Sequence, residues 1–113
     1  MKHTGRHTSE FLLLFLTEGD SYGGKLLQRC TEELPSNPID SAILYRTLKK
    51  LEKEGAVESY LDTTDQDKPI KMYKMTALGE QKLDQFQTDI EEKVKNLSFF
   101  LNKYKEWKES THD

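Results

Sequence analysis

The stretch DSAILYRTLKKLEKEG, residues 40–55, gathers side chains suited to a non-covalent chemistry. Arg46, Lys49, Lys50 and Lys53 bring positive charge, while Ser41, Ala42 and Tyr45 bring small or hydrogen-bonding groups on the same segment. Ammonium groups suit phosphate oxygens, and an arginine fork matches the O6 and N7 edge of guanine. Arg46 is therefore the candidate for base contact and the lysines for the sugar-phosphate backbone. Lys68 and Lys71 add positive groups further along. Taken from the residues alone, the same face could equally be solvated helix surface, with Glu52 and Glu54 as its counter-charges.

Other chemistries find no footing. The chain has no glycine-rich phosphate loop, no nucleophile beside its base and no paired metal ligands, so no catalytic residue, metal or cofactor is assigned. His3 and His7 are four apart but have no third ligand in reach, and His112 sits in the opposite tail. The lysine and arginine of the N-terminal arm, Lys2 and Arg6, could reach along DNA as homeodomain arms do. Cys30 is the single cysteine. It cannot close an internal disulfide and reads as a small buried residue on a helix.

For the basic face to act, something must hold it. Leu44, Leu48 and Leu51 recur at spacings of four and three, which makes a helix with one inward stripe, capped by Asp40 and stopped by Gly55. Upstream, Thr8 or Ser9 is expected to cap a first helix whose Phe11, Leu12, Leu14, Phe15 and Leu16 are heavily buried, with Gly19 at its end. Ser21 is expected to cap a second helix with Leu26, Leu27 and Cys30 inside. Pro35 and Pro38 then force a turn.

Downstream, Val57 to Leu61 and Ile70 to Met75 have the alternation of two strands, which makes a hairpin with Tyr73 and Met75 pinning it to the core. The polar segment between them, Asp62 to Pro69, should project into water. Thr76 caps a last helix from about Ala77 to near Trp107, beyond which the polar residues should fray. Leu83, Phe86, Ile90, Val94, Leu97, Leu101 and Tyr104 repeat along it at steps of three and four. At 1.5 Å per residue that helix is about 45 Å long, more than a domain of some 75 residues covers. A second copy, through an antiparallel or crossed pair of these helices, is the simplest partner for the stripe.

Composition narrows the setting. Of 113 residues 33% are charged and the net charge is −3, which argues against indiscriminate coating of nucleic acid. Residues 1–75 hold 11 Lys and Arg against 12 Asp and Glu, so geometry must concentrate the positive groups if DNA is the partner. The longest apolar run, Phe11 to Leu16, is far short of a bilayer span, and a cleavable leader is not seen, so the expected location is cytoplasmic. Three helices, a hairpin and a fourth helix describe a mainly α fold with a small β-hairpin, of the α+β class. This is a winged helix-turn-helix over residues 8–75 with a long C-terminal dimerisation helix over 76–109.

The runs LYRTLKKLEKEGAVES and KPIKMYKMTALGEQKL resemble the PadR family of bacterial transcriptional regulators. Its signature is a leucine-tyrosine pair before L-x-x-L-E-x-x-G, then P-R-K-x-Y-x-L-T-x-x-G. The likeness runs from Leu12 to the last helix, and the short single C-terminal helix is similar to that of the smaller subfamily. It implies a homodimer that binds double-stranded DNA at an inverted-repeat operator, as a repressor occupying its promoter. It also implies a flat, hydrophobic aromatic ligand at the dimer interface, where Phe100, Tyr104 and Trp107 are the candidates and Trp107 would stack on it. Phe86, Ile90, Val94, Leu97, Leu101 and Tyr104 would make the dimer contact.

The chain departs from the pattern at Gly23-Gly24, where an aromatic residue usually follows the glycine. It departs again at Ile70, where the wing usually has arginine, and this leaves Lys68, Lys71 and Lys74 as its positive residues. Asp62, Asp65 and Asp67 at the wing tip would repel phosphates. These aspartates and the negative total charge favour the rival reading, a winged-helix adaptor that binds another protein without sequence-specific DNA contact.

Overall fold

The structure, a computed structural model, describes residues 7–65 and 67–111. In chain order the elements are α1 (Thr8–Leu16), β1 (Ser21–Tyr22), α2 (Gly23–Glu33), α3 (Ser41–Lys53), β2 (Val57–Asp62), β3 (Ile70–Met75) and α4 (Ala77–Thr111). The chain forms two compact units, Met1–Leu83 and Asp84–Asp113.

In the first unit the leucine repeat of α3 does what its spacing demands. Leu44 and Leu48 are fully buried and Leu51 nearly so, against Leu12, Leu13, Leu26 and Cys30 from α1 and α2. Fully burying a leucine side chain contributes about 1.5–3 kcal/mol, so this cluster dominates the stability of the unit. Asp40 caps α3, its carboxylate accepting the Ile43 N–H at 2.8 Å. Gly55 closes the helix at φ +82°, a left-handed turn that only glycine adopts without cost. Between the helices, Asn37 Oδ1 accepts the Ile39 N–H at 2.9 Å, which turns the chain and sinks Ile39 into the core.

The hairpin of β2 and β3 is antiparallel, running from Val57 opposite Met75 to Asp62 opposite Ile70. Val57 and Tyr73 face the core, whereas Met75 is only half-buried. Thr76 caps α4: its hydroxyl accepts the Gly79 N–H at 3.1 Å and donates to the Gly55 carbonyl at 2.6 Å, which ties the helix start to the end of α3.

Several expectations fail for physical reasons. Ser21 does not cap α2. It pairs instead with Tyr73, and Tyr22 with Met72, making a third strand on the free edge of β3. An unpaired strand edge leaves backbone donors and acceptors open, and two residues suffice to close part of it. Such a short strand has no periodicity to read. α2 therefore begins at Gly23 behind Tyr22, which contributes no side-chain cap, and Leu27 on it is only half-buried.

α1 begins at Thr8, itself buried, with His7 at φ 67° as its cap position, and ends at Leu16, three residues before Gly19. His7 Nδ1 lies 2.8 Å from Glu10 Oε2, while His3 falls outside the described residues, as do Lys2, Arg6 and His112. Leu14 is 48% exposed rather than buried, because an apolar helix of nine residues cannot turn every side to one core. α4 continues past Trp107 to Thr111, where expectation had it fray. Among the described residues no helix is long and apolar enough to cross a membrane, and no cluster of His, Cys, Asp and Glu could hold a metal.

Candidate nucleic-acid interface

Opposite the buried stripe of α3, Ala42, Arg46, Lys49 and Lys53 follow one another at steps of four, three and four, so they share the outward face. All four are exposed, as are Ser41, Tyr45 and Lys50. Lys50 lies at the border of the stripe and Tyr45 on its other flank.

The acids expected to neutralise this face are turned elsewhere. Glu52 accepts a hydrogen bond from the Ser59 hydroxyl at 2.5 Å and has Lys71 Nζ at 3.6 Å, so its charge faces the hairpin. Glu54 pairs with Lys82 at 3.4 Å, at the start of α4. Among the described residues Arg46, Lys49, Lys50 and Lys53 make no ion pair. Among the described residues, the exposed positive groups of α3 thus have no acidic side chain within ion-pair distance, in a chain whose net charge is −3.

The hairpin carries the second part of the surface. Lys71 is already engaged: besides Glu52, its ammonium lies 5.4 Å from the ring centre of Tyr73, within cation–π range. Lys68 is exposed in the connecting loop. The loop acids have local work: Asp62 Oδ1 accepts the Thr64 N–H at 2.9 Å and Asp65 Oδ1 the Asp67 N–H at 3.1 Å. Hydrogen bonds from Thr64, its side chain first and then its backbone, hold the Asp62 carboxyl below the ordinary carboxylate range, so this group stays charged while it shapes the turn.

Tyr45 is placed by a contact that no sequence pattern announces. The tip of its ring rests on Gly23, at the first residue of α2, in a cleft also lined by Tyr22, Ile70, Lys71 and Tyr73. Glycine's lack of a side chain is the only trace of this contact in the sequence.

Residues 12–85 match the transcriptional regulator PadR-like family. The chain belongs to that family. The PadR-like fold is repeated in its structural neighbours. A transcriptional regulator from Clostridium thermocellum is 28% identical with a TM-score of 0.73, over 83% of this chain and 89% of that one. A conserved protein of unknown function, described as a potential transcriptional factor, is 27% identical with a TM-score of 0.77, over 93% of each chain. PadR of Bacillus subtilis, solved in complex with operator DNA, is 26% identical with a TM-score of 0.66, over 73% of this chain and 47% of that one. No curated protein sequence gives a significant match.

The second unit of this PadR-like chain is helical as far as Thr111. Phe86 and Ile90 are half-buried and Val94, Leu97, Leu101 and Tyr104 exposed, all on one stripe. Phe100, Tyr104 and Trp107 form a ladder along the helix, with ring centres 6.3 Å and 5.6 Å apart. Phe99 points off that ladder and has Lys103 over its ring at 6.0 Å.

Proposed function

We propose that this PadR-like regulator is a two-fold dimer that binds double-stranded DNA at an inverted-repeat operator and represses transcription in the cytoplasm by occupying a promoter. The observation that carries the reading is the unpaired positive face of α3, whose nearest acids serve the hairpin and α4 instead. Ser41, Ala42, Tyr45 and Arg46 stand in the first part of α3, the part that meets base edges when a helix enters the major groove. Lys49, Lys50 and Lys53, with Lys68 and Lys71 of the hairpin, would take phosphates. The Bacillus subtilis neighbour bound to operator DNA supports the same use of the fold.

Residues 8–75 are assigned to DNA and 76–109 to dimerisation. Along the stripe Phe86, Ile90, Val94, Leu97, Leu101 and Tyr104 the last four side chains are exposed in one line, and a second copy would cover them. Paired recognition helices would then stand about 34–36 Å apart, one turn of B-DNA. Phe100, Tyr104 and Trp107 offer stacked rings to a flat aromatic effector at that interface, which would act by binding one spacing of the two DNA-reading halves better than another. Selection of bound fragments from the host genome tests the proposal. Enrichment of an inverted repeat, released steeply as salt rises, supports it; recovery of no site favours a protein-binding adaptor.

A further inference from the structure

Gly23 stands in ordinary helical backbone at the start of α2, so no left-handed turn calls for glycine there. Space does. A Cβ built on Gly23 would collide with Tyr45 Cε1 and come within 2.5 Å of its Cζ and hydroxyl oxygen. The backbone of one helix is therefore the platform on which the tip of the tyrosine on the next helix rests. Tyr45 as a whole remains 49% exposed, on the flank of the positive face.

We infer that Gly23 is a positioning residue for DNA binding: its missing side chain leaves the room in which the tip of the Tyr45 ring lies against α2, in the cleft also lined by Tyr22, Ile70 and Lys71, and this holds the tyrosine on the flank of the positive face, where its hydroxyl would donate to a phosphate. The inference rests on the DNA reading above. The colliding atoms are the far end of a side chain that can swing aside, so a methyl group at position 23 displaces the ring rather than the fold. Alanine is also the better helix former, which favours α2. Binding and stability should thus respond differently, as they would not if Gly23 served packing alone. Gly24 is the built-in control, because its added Cβ would lie 3.4 Å from Tyr22, an ordinary contact.

The experiment measures affinity for the duplex recovered from the host genome, with melting temperature alongside, for the full chain and for Gly23→Ala, Gly24→Ala, Tyr45→Ala and the double variant Gly23→Ala/Tyr45→Ala. Expected is a loss of roughly tenfold in Gly23→Ala, matching Tyr45→Ala, as befits one hydrogen bond to a charged group. Gly24→Ala should bind as the unaltered chain does, and the double variant no worse than Tyr45→Ala alone, because the two substitutions break the same contact. Should Gly23→Ala melt early, a stable double variant that binds like Tyr45→Ala supports the inference, and an unstable one overturns it. Full affinity in Gly23→Ala or in Tyr45→Ala, or losses that multiply in the double variant, also overturn it while leaving the DNA reading intact. An unaltered chain that holds no host DNA sinks both.

Discussion

Arg46 and Lys49 lie three apart on one exposed face, yet they should fail differently when removed. If Arg46 reads a base edge as proposed, Arg46→Ala should cost about 1–3 kcal/mol of operator affinity and relax preference at one base pair, because the bidentate fork is lost. Lys49→Ala, at a proposed phosphate contact, should weaken all duplexes alike and lower the salt slope by about one, because binding then releases about one fewer condensed counterion. Binding to point-mutated operators over a salt series tells the two apart. The Arg29 guanidinium, 2.6 Å from Glu33 through Nε and 3.2 Å from Glu18, holds the Glu33 carboxyl below its ordinary value of 4.5. A lowered folded pKa means stability that is whole above that ordinary value and lost as pH falls through the folded one. Asp62, held below 3.8 by Thr64, acts in the same sense. Melting temperature should stay level from neutral pH to about 5 and decline below about 4.5, with a shallower decline in Glu33→Gln. Both groups are exposed, so the effect is small.

At the scale of elements, α3 answers to two masters, a core on one side and an open face on the other, and its caps hold it in place. Asp40→Ala should cost about 1 kcal/mol by removing the side-chain acceptor for the Ile43 N–H. Gly79→Ala should cost more, about 1–3 kcal/mol, since its Cβ would strike the Ala56 carbonyl oxygen and lie 2.7 Å from Met75 Cγ, and the backbone there cannot yield as a tyrosine ring can. Urea unfolding of the two variants checks the order. α3, the hairpin and the start of α4 were legible because each has both a period and a stop: leucines then Gly55, alternation between polar turns, Thr76 before Ala77. β1 was not, since two residues on a sheet edge are chosen by what lies beside them.

For the whole molecule, a net charge of −3 coexists with a basic helix face that is unpaired among the described residues, because Glu52 and Glu54, the acids next to it in the chain, meet Lys71 and Lys82 instead. The proposed dimer predicts that Leu97→Glu or Leu101→Glu gives monomers by analytical ultracentrifugation at concentrations where the unaltered chain is dimeric. Operator affinity should fall at least tenfold, because the second half-site then loses its tethered reader. The effector reading has its own probe, since Trp107 is the single tryptophan. Its fluorescence should be quenched by a planar tricyclic dye such as acridine, and Trp107→Ala should weaken dye binding.

The residues alone settled the family likeness, the leucine stripe of α3, the capping Asp40 and the long apolar repeat of α4, because each depends on near neighbours in the chain and on spacings that a helix or strand makes regular. They left open whether Glu52 and Glu54 would neutralise the lysines beside them. Ser59 is seven residues from Glu52, but Lys71 and Lys82 are far along the chain from the acids they meet, and only the pairing of the hairpin beside α3 and the tie of Thr76 to Gly55 bring those groups within reach. Gly23 beneath Tyr45 is of the same kind: a missing side chain acquires meaning only when another helix is laid across it.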